Sequence, residues 1–177
     1  MYIHWKCGAE ELDPVLFDKI DEVDLKIINL LQEDSRFSFN KVASKLGISA
    51  GTAFNRIKNL EEKGIIKGYT IIVDPAKIGY AMTALVLIQA EGAHLSDVER
   101  EIAKIDNVVS VYDITGDFDI AVIARFLDRT SLNEFIKRLV AMPYVKRTVT
   151  NIILNVVKED IRIRIQQGHI MKNPIHS

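Results

Sequence analysis

The chain concentrates its most reactive spacing in "ITGDFDIAV", residues 114–122, where Gly116, Asp117 and Asp119 interrupt a run of strand-forming apolar residues. Two carboxylates beside a glycine suit four kinds of chemistry: an acid/base pair, a cation site, a tight turn with solvated aspartates, or a pocket for a small polar ligand. Acid/base work needs a positioned partner. His4, His94, His169 and His176 are scattered, and the single thiol, Cys7, is distant. Asp113, Asp117 and Asp119 lack the spacing of a calcium loop. His4 and Cys7 are too few for zinc. No catalytic residue, metal ligand or cofactor is therefore expected. The turn and the ligand pocket stay open. As a turn, Gly116-Asp117 reads as a tight hairpin and Asp119 as the start of the next strand.

A second set of residues points to polyanions. Net charge is −1 over 177 residues, but it is unevenly spread. Residues 1–34 carry 3 basic and 9 acidic side chains, whereas residues 35–70 carry 7 basic and 2 acidic. Such a basic block inside a neutral chain is the footprint of a nucleic-acid-binding module, although a solvated basic face gives the same count.

The elements that carry this block share one grammar. Ile20-Asp21, Phe37-Ser38 and Ile48-Ser49 each pair an apolar N′ residue with an Asp or Ser N-cap, followed by an apolar N4 residue. The first helix runs to about Gln32, with Leu25, Ile28 and Leu31 inward. The second spans Ser38–Leu46, buries Val42 and Leu46, and is stopped by Gly47. The third runs from Ser49 to about Lys63, buries Ala53, Ile57 and Leu60, and ends at Gly64. A link of only "GIS" between the last two reads as a helix-turn-helix. The third helix then enters a major groove. Its outward residues are Ala50, Gly51, Thr52, Asn55, Arg56, Lys58 and Asn59. Asn and Arg suit adenine and guanine edges, while Ser49, Lys58 and the first N–H groups of the helix suit phosphates. "IIKGYTIIVD" reads as a strand or wing whose Lys67 reaches the DNA backbone. Phe54 either touches a thymine methyl or packs on a partner subunit.

From about Met82 the period changes. "TALVLIQAEG" reads as a strand, "LSDVEREIAKID" as a helix capped by Ser96, and "VVSVYDIT" as a strand. "FDIAVIARF", "TSLNEFIKRLVAM" and "VKRTVTNIILNVV" repeat strand, helix, strand. The fold class expected is α+β: an N-terminal winged helix-turn-helix and a C-terminal ferredoxin-like βαββαβ domain. The expected boundaries are 1–19, an extension; 20–73, the helix-turn-helix domain; 74–80, a linker; 81–160, the ferredoxin-like domain; and 161–177, a second extension. "ALVLI" and "IAVIA" do not alternate cleanly. Both faces of the sheet want burial, yet two helices cover only one, so a second subunit is expected on the other.

The run "IDEVDLKIINLLQEDSRFSFNKVASKLGISAGTAFNRIKNLEEKGIIKGYTIIVD" resembles the DNA-binding half of the Lrp/AsnC (feast/famine) transcriptional regulators. The matching residues are Asp21 and Asp24, Asp34-Ser35-Arg36, "VA" with "LGIS", Arg56-Ile57, Leu60-Glu61 and "GIIKGY". The resemblance continues over residues 20–160, where it implies an amino-acid-sensing domain. In that family a Gly-Asp-x-Asp segment lines the effector pocket at contacts between dimers. The resemblance thus assigns Thr115, Gly116, Asp117, Phe118 and Asp119, with Thr148 and Thr150 as weaker candidates, to an amino-acid effector. It also implies a homodimer that assembles further into tetramers or octamers, bound to double-stranded DNA. Phe54 and Asn59 depart from the family, which commonly has polar or basic residues there.

Two other readings bear on this scaffold. One is an enzyme similar to sirohaem decarboxylases, which calls for histidines near the pocket; none occurs between His94 and His169. The other is a nucleoid-type architectural DNA-binding protein. No apolar run has the ~18 residues of a membrane span, and "MYIHWKCGAEEL" lacks the pattern of a signal peptide, so a cytoplasmic protein is expected. In the extensions, Tyr2, Trp5, Leu16 and Phe17 suit an arm, "DIRIRIQQG" suits a half-buried strand added to a sheet edge, and "HIMKNPIHS" suits a loose tail.

Overall fold

Three short helices form around one another in the first part of the chain, each started by the cap its sequence supplies. The computed structural model describes residues 20–163 and residue 165. The readings made on residues 1–19 and 166–177 lie outside these. Two units are distinguished: residues up to Ile71 together with those from Asp160, and Ile72–Glu159.

In the first unit, α1 spans Glu22–Glu33, α2 Phe39–Leu46 and α3 Ala50–Glu62. The Asp21 carboxylate accepts the Val23 and Asp24 N–H groups at 2.8 and 3.0 Å, and Asp24 accepts the Asp21 N–H at 3.2 Å. Asp24 thereby completes a capping box with a shorter side chain than the usual Glu or Gln. Ser38 and Ser49 cap α2 and α3. Gly47 ends α2 at φ 68°, and the Ile48 N–H returns to the Ala43 carbonyl. That left-handed residue is what lets the chain reverse within three residues.

The core of this unit is Ile27, Leu31, Val42, Ala43, Ala53, Ile57 and Leu60. The inward stripe of α1 differs from the expected Leu25, Ile28 and Leu31. Ile27 is fully buried, whereas Leu25 and Ile28 are half-buried. The stripe is rotated because Asp24 itself turns inward, only 3% exposed.

The wing expected of "IIKGYTIIVD" does not form within this chain. Ile65 and Ile66 pack on the helical core, but residues 67–73 carry no strand, and Ile71 and Ile72 are exposed. A strand exists only by pairing, whatever its propensity.

In the second unit, β1 is Met82–Ala90, α4 Leu95–Ile102, β2 Val108–Asp113, β3 Ile120–Phe126, α5 Arg129–Val140 and β4 Val145–Ile152. The sheet is antiparallel throughout, in the order β2-β3-β1-β4. Register puts Ala84, Val86 and Ile88 opposite Ala124, Val122 and Ile120. Paired residues share a face. This face, with Phe126, meets Val98, Ile102, Leu132, Phe135 and Leu139 of the two helices. The other face carries Leu85 and Leu87 of β1, Ile123 of β3 and Val149 of β4, all half-buried.

Three local expectations are corrected. Helix α4 begins at Leu95 behind a short 3-10 turn, Gly92–His94, so Ser96 lies inside the helix rather than at its cap. The last strand stops at Ile152, and Leu154 and Val157 are exposed. Of the strand expected at residues 160–168, the described residues 160–163 and 165 join no sheet edge. They lie extended along α1, where Gln32 and Ile163 exchange hydrogen bonds of 2.8 and 2.9 Å and Asn29 donates to the Ile165 carbonyl.

Candidate nucleic-acid interface and ligand turn

The helix-turn-helix presents the start of α3 to solvent. The Ser49 hydroxyl accepts the Thr52 N–H at 3.0 Å and lies 2.8 Å from the Thr52 hydroxyl. Its remaining early N–H groups lack helical partners, which makes this end attractive to phosphate. Ala50, Gly51, Thr52, Asn55, Lys58 and Asn59 are all exposed along α3. A Cβ at Gly51 would meet only the Ser49 hydroxyl, 3.9 Å away, so a ligand can approach the backbone closely. Lys58 pairs loosely with Glu62 at 3.6 Å. Lys67 is exposed beyond α3.

Arg56 is the exception. The expectation placed it among the outward, base-reading residues. Its guanidinium instead reaches Asp21 at 2.7 Å and Asp24 at 2.9 Å, with 32% of the side chain exposed. Position 56 lies three residues after Ala53 and four before Leu60, beside the buried stripe of α3. Two carboxylates at the start of α1 wait there. Burial raises the Asp21 carboxyl, but the Asp24 N–H, the Arg56 guanidinium and the Val23 N–H together hold it below its ordinary value. The carboxylates of Asp24 and Asp21 in turn raise Arg56 further. Arg56 therefore clamps α3 to α1. Asp24 was missed as a partner because its role needs a side chain from 32 positions away.

In the second unit, Thr115–Asp119 come together in the connection between β2 and β3. The connection is longer than a two-residue hairpin: β3 begins at Ile120, and the loop is closed by the Ile114 N–H on the Asp119 carbonyl at 2.9 Å. Gly116 adopts φ +123° with open space where a Cβ would be. Thr115, Gly116 and Asp117 are exposed. Asp119 is half-buried, and its carboxylate accepts the Ala90 N–H at 2.8 Å, tying the turn to the end of β1. One carboxylate is thus structural and the other, Asp117, faces solvent.

Thr148 and Thr150 do not join this turn. They pair with Ile88 and Val86, on the helix-covered face, and β1 and β3 separate β4 from β2. The residue of β4 that does reach the turn is Arg147, whose guanidinium lies 5.6 Å over the Phe118 ring. Nothing local in "VKRTVTN" singles it out, because its partner is brought in by the sheet. Close to the same end of β2, Glu99 on α4 buries its Oε1 without a hydrogen-bond partner. Burial, then the negative charge of Asp113, raises its carboxyl. Among the described residues no group of three or more His, Cys, Asp or Glu is arranged to hold a metal ion. Among them, too, no helix is long and apolar enough to cross a membrane.

A capped helix-turn-helix joined to a four-stranded α+β domain with a polar turn defines a DNA-binding protein of the transcription-factor class. Comparison with known proteins gives the particular family. Residues 20–67 match the winged helix-turn-helix DNA-binding model, and residues 83–163 the Lrp/AsnC ligand binding domain. An HTH-type transcriptional regulator of Pyrococcus furiosus is 44% identical over 145 residues, covering 82% of this chain and 98% of the relative. An AsnC family transcriptional regulator from Agrobacterium tumefaciens superposes with TM-score 0.76 at 26% identity, over 82% of this chain and 97% of its own. A Neisseria meningitidis transcriptional regulator, solved as an L-Met complex, shares the fold with TM-score 0.76 at 22% identity, over 82% and 96%. The chain belongs to the Lrp/AsnC family. These relatives and domains are those of a transcriptional regulator, not an enzyme.

Proposed function

We propose that the chain is a sequence-specific operator-binding regulator gated by an amino acid. The observation that carries the DNA half is the exposed start of α3. There Ala50 and Gly51 leave the backbone bare, and the exposed Asn55 and Asn59 follow at successive turns along the helix. Ala50, Gly51, Thr52, Asn55 and Asn59 face base edges. Ser49, Lys58 and Lys67 hold phosphates and set register. Arg56 acts indirectly, by fixing the angle of α3 against α1.

The effector half rests on the turn. Turn N–H groups near Gly116 and the Arg147 guanidinium suit a carboxylate, and the exposed Asp117 carboxylate suits an ammonium. Thr115 adds a hydroxyl and Phe118 an apolar wall. In one chain this turn is open, so the ligand is enclosed when another dimer covers it. The half-buried apolar face at Leu85, Leu87, Ile123 and Val149 supplies the dimer contact, which brings two α3 helices to half-sites about 34–36 Å apart. The effector then shifts the balance between dimers and tetramers or octamers, and DNA and effector alter each other's affinity equally.

The test is titration against DNA from upstream of the protein's own gene and a composition-matched scramble, at about 150 mM salt, where weak non-specific binding is suppressed. Tighter binding to the native fragment by about tenfold (~1.4 kcal/mol) or more is expected. Each of the twenty amino acids is then added in turn, and one or more should change that affinity. Equal binding to both fragments would favour an architectural role instead.

A further inference from the structure

The recognition helix carries a side chain of the wrong chemistry for a phosphate or an amide edge. Phe54 is 44% exposed in the middle of the outward stripe Ala50, Gly51, Phe54, Asn55, Lys58. It stands apart from the buried cluster of the helical unit. Its ring meets Phe39, the first residue of α2, edge to face, with centroids 5.1 Å apart and planes at 88°. Phe39 is 43% exposed. The two rings therefore brace each other and still turn apolar surface outward from the face that meets DNA.

An edge-to-face partner favours one orientation of the ring before binding, which lowers the ordering cost a free side chain would have. In a major groove the main apolar feature on a base edge is the thymine C5-methyl. We propose that Phe54, held by Phe39, reads a thymine methyl within an A·T-containing step, with the neighbouring Asn55 amide placed for the N6 and N7 edge of an adenine. The inference rests on the DNA-binding reading above and adds to it a specificity determinant.

A second copy of the chain fits the patch less well. Two half-exposed phenylalanines offer roughly 200 Å² on one partner, against the roughly 600 Å² per partner that a stable protein interface buries. Exposed Asn55 follows Phe54 directly and exposed Lys58 lies one helical turn beyond it, which is a polar, basic setting suited to a groove with phosphate walls rather than to an apolar interface core.

The test needs no altered protein at its first step. A random duplex pool is enriched on the full chain, and each thymine of the selected site is replaced singly by deoxyuracil, which deletes only the methyl. One thymine in each half-site should lose roughly four-fold in affinity on replacement, the effect of burying about one methyl group. Phe54→Ala should bind the thymine and uracil duplexes equally, and Phe54→Leu should keep part of the difference. Thermal melting of both variants checks the fold. If no replacement changes affinity, or if Phe54→Ala keeps the full difference, the proposal is overturned while DNA binding stands. If Phe54→Ala changes the sedimenting mass and no replacement matters, the rings belong to a subunit contact and the proposal is overturned. If no sequence is enriched at all, it fails together with the reading on which it rests.

Discussion

Arg56 shows how a single residue changes meaning when its partner arrives from elsewhere in the chain. Its type and position suit a base contact, and the ion pair with Asp21 and Asp24 makes it a clamp. Arg56→Ala leaves the Asp24 side chain, only 5% exposed, without its counter-charge. Removing one partner of a buried pair is costly because the other stays desolvated. Because Asp21 is 53% exposed and screened, a loss of about 2–3 kcal/mol is expected, below the full cost of a wholly buried pair, and urea denaturation of the helical unit measures it. The pH dependence has a definite sign. The Asp21 carboxyl is depressed in the folded state, so its contribution is present above the ordinary carboxylate range and lost as pH falls through the folded value. Arg56→Ala should flatten that acid limb.

Glu99 has the opposite sign. Its carboxyl is raised, so folding favours the protonated form. Its contribution is full below the ordinary carboxylate value and is lost as pH rises through the folded one. Glu99→Gln removes the charge and should stabilise the fold at pH 7 by under about 1 kcal/mol, since the side chain is only half-buried, which thermal melting reads as a higher melting temperature. At pH 4 the gain should shrink.

At the scale of elements, caps were the most legible feature. Asp21, Ser38 and Ser49 act where an Asp or Ser before an apolar stripe says they should, because a cap satisfies its own helix and needs nothing distant. Ser49→Ala should cost about 1 kcal/mol in thermal or chemical melting and weaken DNA binding through fraying of α3. Strand ends were less legible. The wing and the extension of β4 read as strands from propensity, yet neither has a neighbour to pair with among the described residues. Helix α4 begins one residue before the apparent Ser96 cap because a 3-10 turn leads into it.

At the scale of the whole molecule, the two helices cover one face of the sheet, and among the described residues the other face leaves Leu85, Leu87, Ile123 and Val149 half-buried. Leu87→Asp puts a charge on the uncovered face, directly opposite Ala121 and Val149. It should lower the sedimenting mass to that of a monomer and cut operator affinity by tenfold or more (~1.4 kcal/mol), since two half-sites are no longer read together. The chain also enters the helical unit twice, once before Ile71 and again from Asp160. Gln32 holds the returning stretch with two hydrogen bonds to Ile163. Gln32→Ala should abolish slow hydrogen exchange at the Ile163 amide and leave the amides of the ferredoxin-like core unchanged.

Elements whose causes are local are legible along the chain: three capped helices, the glycine reversal at Gly47, the repeated strand–helix–strand plan and the polar turn around Gly116-Asp117. Capping, φ > 0 and apolar periodicity act within a few residues, so they can be read along the chain. Which charges are spent inside the protein and which stay exposed depends instead on packing between distant segments. That packing turned Arg56 and Asp24 toward each other across 32 positions, gave Asp119 to the Ala90 amide, brought Arg147 over Phe118 and parted Thr148 and Thr150 from the turn. The reason is physical: a hydrogen bond or ion pair needs its partner within about 3–4 Å, and only the packed fold brings residues so far apart in sequence that close.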